Sequence, residues 1–369
     1  METKTILAGI SHGDINGIGY EVIIKALMDP AINDFCVPIV YGSPKVAAYY
    51  RKALNINNFS FNNIKSPEEA NHRKANMLNC LDDNVRVELG KSTPQGGEAA
   101  LSSLERAVND LMSGKINVLI TGPIDKKNIQ SDKFNFKGHT EYLKSKANSE
   151  DALMFMISEN MRIGFATGHV PLSKVPGLLT AELLLRKIKM MNHSLIADFG
   201  IRKPKIAILG LNPHAGDNSL LGSEEAEIIT PAMKAAESEG ILTFGPYPAD
   251  GFFGAGSFTK FDGILAMYHD QGLGPFKALA FDSGVNYTAG LPFVRTSPVH
   301  GTAFQIAGKG EASENSFRQA VYLACSIFRN RQAHSSLTKN PLKKQEIEIH
   351  TDKVDELPPE IYNNTDPHI

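Results

Sequence analysis

Short apolar runs alternate along this chain with longer segments of helical period, and most runs break at Gly, Pro or Asn. That alternation predicts an α/β fold. One unit is explicit. Ala100, Leu101, Leu104, Ala107, Val108 and Leu111 recur at three- and four-residue steps after Gly97, Gly114 ends the helix, and Ile116 to Ile120 read as a strand that runs into Thr121, Gly122 and Pro123. A second unit pairs a helix from Leu178 to Met191 with a strand from Lys205 to Leu211, followed by Asn212, Pro213 and His214. A third has a helix from Glu224 to Glu239, a short strand near Leu242, and a strand from Gly263 to Tyr268 that ends in His269 and Asp270. The opening METKTILAGISHGD reads as a first strand, with a helix around Ile23 to Leu27. Periodicity fades from Ser335 onward, which predicts a polar surface tail.

Length and charge narrow the partners. A chain of 369 residues suggests roughly two domains, and no Ser/Gly linker divides them, so a discontinuous domain is expected. With 38 basic and 40 acidic side chains and no long Lys/Arg run, the basic stripe of a nucleic-acid or anionic-membrane binder is missing. Small-molecule partners are favoured, with neither nucleic acid nor membrane. Cys36, Cys80 and Cys325 are odd in number and far apart, which fits a reducing compartment, and no apolar run reaches membrane-spanning length. A cytoplasmic protein is the expectation.

In open α/β sheets ligands bind beyond the carboxyl ends of strands, so polar loops there are the first candidates for chemistry. His169, His214 and His269 each follow a strand-like run. Three neutral imidazoles could hold a divalent metal and leave positions open for substrate, although any one of them taken singly is more simply a loop hydrogen-bonding group. His139 and Thr140 in KGHTE lie at an apparent helix start that could hold an anion, or Thr140 could simply cap the helix. Lys277 in DQGLGPFK and Arg295 in GLPFVRTS, with Asn286, could pair with a carboxylate or phosphate, or could be surface charges. Gly13, Gly17 and Gly19 do not have dinucleotide-fingerprint spacing, and neither a P-loop nor G-x-S-x-G occurs. A tight turn before the helix of Glu21 is the simpler account of these glycines.

The strings GIGYE, TGPIDKKNI, FKGHTEYL, GLNPHAGDN, YPADGFF, MYHDQGLGPFK and VNYTAGLPFVRTSPVHGTAFQIAGKG follow one another across residues 17 to 310. Together they closely resemble the 4-hydroxythreonine-4-phosphate dehydrogenase family of vitamin B6 biosynthesis. The resemblance implies an isocitrate/isopropylmalate dehydrogenase-like α/β fold: two α/β/α domains with a central cleft, in a homodimer with shared active sites. It implies a discontinuous cofactor-side domain of residues 1–130 and 286–335, a metal-binding and dimerisation domain of residues 131–285, and a polar tail of residues 336–369. It further implies that His169, His214 and His269 bind one divalent metal, His269 coming from the partner subunit, and that His139, Thr140, Lys277, Asn286 and Arg295 bind substrate.

The implied reaction is NAD- or NADP-dependent oxidation of 4-phosphohydroxy-L-threonine, followed by decarboxylation to 3-amino-2-oxopropyl phosphate. Zinc, cobalt, manganese, nickel or magnesium could serve as the metal. Lys277, Asp250 and a metal-bound water are open candidates for the general base. The segment holding His300, Gly301, Thr302, Ala303 and Gln305 is similar to the adenosine-binding loop of isopropylmalate and isocitrate dehydrogenases. Gln305 stands where NAD-preferring relatives carry an aspartate, so charge does not exclude NADP. The chain departs from the family pattern at Ile15, Asn16, Tyr20, Asp125, Gly251 and Val299. Those departures leave open a related dehydrogenase of threonate or erythronate 4-phosphate. A phosphate acyltransferase-like enzyme is a remoter alternative, disfavoured by the three strand-end histidines.

Overall fold

The computed structural model describes residues 5–82 and 84–341. Twelve strands form one sheet: β1 (Leu7–Ser11), β2 (Val37–Gly42), β3 (Asn62–Ile64), β4 (Asn76–Asn79), β5 (Val118–Thr121), β6 (Leu153–Ser158), β7 (Met161–Phe165), β8 (Lys205–Leu209), β9 (Leu242–Tyr247), β10 (Gly263–Ala266), β11 (Val285–Ala289) and β12 (Val294–Pro298). Their order across the sheet is β3-β4-β2-β1-β5-β12-β11-β6-β7-β10-β8-β9. The helices are α1 (Gly19–Leu27), α2 (Pro44–Ala53), α3 (Pro94–Met112), α4 (His139–Lys146), α5 (Val175–Leu178), α6 (Ala181–Ala197), α7 (Thr230–Ser238), α8 (Ala249–Gly254), α9 (His269–Ala280) and α10 (Asn315–Thr338).

Strands β3, β4, β2, β1, β5 and β12 are mutually parallel, as are β7, β10, β8 and β9. Between them β11 is antiparallel to both β12 and β6, and β6 is antiparallel to β7. The two parallel sets therefore run in opposite directions. Buried Val, Ile and Ala fill both sets, as expected for strands covered on two faces.

Local chemistry explains where the helices begin. Thr93 accepts a hydrogen bond from the Gly96 N–H with Pro94 in the first turn, so α3 starts ahead of its apolar stripe. Thr180 accepts from the Leu183 N–H and starts α6 at Ala181, so the helix expected from Leu178 is instead two pieces, with α5 separate. The stretch expected as one helix from Glu224 opens with a π-helical turn, Glu225–Ile229, before α7. Buried Glu225 accepts the backbone N–H groups of Leu211 and Asn212 at 2.8 and 2.7 Å, which ties that turn to the end of β8.

Helix α10 backs the central strands: Thr296 donates to the Ala320 carbonyl, and Arg331 bonds Asp198 and the Tyr287 hydroxyl. It also corrects the expected tail. Ser335, Ser336 and Leu337 belong to the helix, because once the buried stripe from Phe317 to Ile327 has nucleated it, each further residue adds a backbone bond at little cost. The rest of that tail, residues 342–369, lies outside the described residues.

Candidate active site

A cleft of about 450 Å³ lies over the central strands, on the face opposite α10. Strand alternation creates it. Asn286 on β11 pairs with Ser297 on β12 and Met156 on β6, and these three side chains, with Arg295 and Met154 two residues away on their strands, share the exposed face. The expected strand-end loops reach this cleft from both directions. Thr121 ends β5 and Gly122 to Ile124 follow it, Val299 to Gly301 follow β12, and His169 and His269 follow β7 and β10, which run the opposite way. The site thus bridges two sets of strand ends across the sheet face.

Arg295 is the electrostatic centre. It is 2% exposed and donates to Thr121 Oγ1 at 3.1 and 2.7 Å and to Thr288 Oγ1 at 3.2 Å. Among the described residues no carboxylate lies within 4.0 Å of it. Burial lowers its guanidinium to about 10, and Glu141 opposes that shift. A buried cation held by neutral hydroxyls is short of an anion.

Three further polar atoms are buried without a hydrogen-bond partner: His139 Nε2, Asn286 Oδ1 and His300 Nε2. Burial, then the charges of Arg295 and Lys126, hold His139 well below the usual histidine range, so its ring is neutral at pH 7. His139 and Thr140 occupy the first turn of α4, with Gly138 at the cap position and no side-chain cap from Thr140. Lys277 also lines the cleft, from an exposed position on α9.

His169 and His269 face one another with ring centroids 5.2 Å apart. His169 reaches solvent on one side, yet partial burial, then the charges of Lys126 and His269, lower it. Asp270 Oδ1 lies 2.6 Å from His269 Nδ1, which leaves Nε2 as the free lone pair when Nδ1 carries the proton. This pair of imidazoles suits a late divalent cation. His214 is elsewhere: it is exposed, with φ 53, in the 3₁₀ turn after β8, and it does not line the cleft. Among the described residues of one chain no three His, Cys, Asp or Glu side chains gather as a metal-holding group. Asp250 is likewise exposed on α8 and away from the cleft.

The glycines near the amino terminus brace the loop after β12. The Ile18 N–H donates to the Thr302 carbonyl at 2.9 Å, and a Cβ on Gly17 would meet that oxygen at 2.7 Å. Buried Glu21 accepts from the N–H groups of Gly308 and Ala312. These contacts fix His300, which burial keeps below its usual range, at the cleft edge, with Gly301 beside it. Thr302, Ala303 and Gln305 extend outward from it, Gln305 exposed. His300 Nδ1 lies 3.2 Å from the Gly301 carbonyl, so its buried Nε2 is left to meet a polar group of a bound cofactor.

Sequence reasoning missed Lys126, Lys137, Glu141, Thr121 and Ser297, all of which line the cleft. Lys126 and Glu141 lie within the strings TGPIDKKNI and FKGHTEYL, but a charged residue in a loop carries no signal of its own.

An anion-receiving cleft with facing imidazoles and a braced glycine loop, on an α/β sheet, fits an enzyme of the dehydrogenase class. The family model described as pyridoxal phosphate biosynthetic protein PdxA matches residues 34–324, and the chain belongs to that family. A relative from Bacteroides thetaiotaomicron named 4-hydroxythreonine-4-phosphate dehydrogenase is 54% identical over 354 residues, covering 95% of this chain and 97% of its own. A protein of Oceanobacillus iheyensis provisionally named a D-threonate 4-phosphate dehydrogenase is 38% identical, covering 89% of this chain and 99% of its own. The crystal structure of a 4-hydroxythreonine-4-phosphate dehydrogenase from Klebsiella pneumoniae superposes with a TM-score of 0.75 at 32% identity, over 89% of this chain and 99% of that one. The chain is an oxidoreductase.

Proposed function

We propose that the protein oxidises the secondary alcohol of 4-phosphohydroxy-L-threonine with NAD or NADP, in a reaction that needs a divalent metal. The 2-amino-3-oxo acid formed then loses carbon dioxide to give 3-amino-2-oxopropyl phosphate, on the route to pyridoxal 5′-phosphate. The observation that carries this reading is Arg295, buried in the cleft without a carboxylate partner. A substrate bearing both a phosphate and a carboxylate supplies the missing charge, with His139, Thr140, Lys277 and Asn286 completing its contacts.

His169, His214 and His269 would hold the metal, the set being drawn from two chains of a homodimer. When bound, such a cation supplies a Lewis acid for the alcohol oxygen and for the ketone that replaces it. His300, Gly301, Thr302, Ala303 and Gln305 would hold the adenosine side of the nicotinamide cofactor, and uncharged Gln305 admits either NAD or NADP. Neutral His139 can donate or accept at the substrate without adding charge.

The Oceanobacillus relative supports a second reading, oxidation of D-threonate 4-phosphate, which brings the same two anions. One experiment separates them. Metal-reconstituted protein is given NAD or NADP and each phosphate in turn, and absorbance of the reduced nicotinamide is followed. Turnover at least about tenfold faster on the amino acid supports the first reading, turnover only on the sugar-acid phosphate supports the second, and turnover on neither refutes both.

A further inference from the structure

The cleft is lined by four cations, Lys126, Lys137, Lys277 and Arg295, and by a single acid, Glu141. The Glu141 side chain makes no hydrogen bond or ion pair with any described residue. Its carboxylate leans over Gly138, where Oε2 comes to 3.8 Å from the position a Cβ would take, and the Lys126 side chain reaches the same spot from the opposite loop at 3.7 Å. Its charge is felt at both Arg295 and His169. It does not gather with His169 and His269 as a metal-holding group.

An unpaired carboxylate opposes the binding of a doubly anionic substrate by like-charge repulsion. The bland account is a helix-start role: Glu141 is the third residue of α4, where an acid favours the helix dipole. That account leaves unexplained why the side chain lies in the cleft. Asp250 is exposed on α8 and does not line the cleft, and Lys277, which does, is one of the cations assigned to the substrate's anions.

We propose that Glu141 is the general base of the alcohol oxidation, an assignment that rests on the function proposed for this cleft. The Glu141 carboxylate takes the proton of the substrate hydroxyl as the C–O bond becomes a carbonyl. The electron pair of the adjacent C–H bond leaves as hydride to the oxidised nicotinamide. The substrate is oxidised by two electrons, the cofactor is reduced by two, and one proton remains on Glu141 until solvent removes it.

Glu141→Gln tests this cleanly, because glutamine at that helix position keeps the shape of the side chain while deleting only the charge. In the dimeric, metal-loaded protein kcat should fall by about 10²- to 10⁴-fold. Calorimetric binding of 4-phosphohydroxy-L-threonine without cofactor should stay the same or tighten, since a repulsion has gone. Formate should restore part of the turnover of Glu141→Ala, which a positioning or helix-start role does not allow. The assignment is overturned if Glu141→Gln keeps kcat within about fivefold of wild type, if binding weakens in step with kcat, or if formate rescues nothing. Wild-type protein that turns over no phosphorylated hydroxy acid refutes the proposed function, and the base assignment falls with it. Wild-type turnover with an unimpaired Glu141→Gln refutes the base alone.

Discussion

Replacing Arg295 by Met should separate stability from binding. Burial lowers the guanidinium to about 10, a depression of a little over two factors of ten, which at about 1.36 kcal/mol for each costs about 3 kcal/mol. The sign is unfavourable to the fold. A cationic group whose folded value is depressed is destabilised in the native state at every pH below about 10, so the full cost stands at pH 7. Methionine removes that cost but strands the Thr121 and Thr288 hydroxyls that now accept from the guanidinium, a loss of about 1 kcal/mol each. The balance is about 1 kcal/mol in favour of Arg295→Met, so Tm without ligand should hold or rise by up to about 3 °C. Binding should suffer instead. Two charge-assisted bonds to a substrate anion, at about 1.5 kcal/mol each, make kcat/KM fall by roughly 150-fold. Differential scanning fluorimetry with and without substrate, beside steady-state kinetics, reads both quantities. A variant that melts about 5 °C lower yet keeps substrate affinity would show that Arg295 is a structural cation and refute the reasoning.

Other outcomes follow from the same structure. Gly17→Ala puts a Cβ 2.7 Å from the Thr302 carbonyl; a repacking cost of about 1–3 kcal/mol should raise KM for the nicotinamide cofactor while calorimetric substrate affinity stays unchanged. His12 is fully buried and unpartnered at both ring nitrogens, and burial lowers it from 6.5 to about 4. The unfolded chain therefore takes the proton first, stability is complete above pH 6.5, and it falls as pH drops toward 4. At pH 5 the loss is about 2 kcal/mol, and His12→Leu should flatten that limb of a Tm-against-pH curve. For the metal, His169→Ala protein mixed with His214→Ala or with His269→Ala protein should regain activity in whichever heterodimer splits the ligands between chains. No recovery in either verified heterodimer would rule out a site built from both.

Much of the site was legible because strand ends and glycine loops are local signals. His169 and His269 were named from loops after apolar runs, His139 from a helix start, Lys277, Asn286 and Arg295 from glycine turns and His300 from the family resemblance, and one chain brings all seven to one cleft. His214 was legible as a strand-end histidine, but the turn after β8 leaves it exposed and outside the cleft, away from the other two. Lys126 and Glu141 were illegible because their convergence over Gly138 is tertiary: each reads alone as a solvated charge. Thr121 and Thr288 were missed for a different reason. Their worth comes from facing Arg295 across strand pairings, and register between distant strands is not written in either strand alone. The antiparallel seam at β11 was missed likewise, since VNYTA looks the same whichever way it runs.

That seam has a consequence for the order in which the chain is made. Strand β12 sits between β5 and β11, yet Val294 follows Thr121 by 294 − 121 = 173 residues. During synthesis β5 is a bare edge, and the face later covered by α10 is open, until nearly the whole protein has emerged. Closure of the sheet is thus a late, long-range event, with the slow kinetics and aggregation exposure that such contacts carry. A fragment ending before β12 keeps the other eleven strands but lacks the one that joins β5 to β11 and carries Arg295, so the first parallel set stays unjoined to the rest of the sheet.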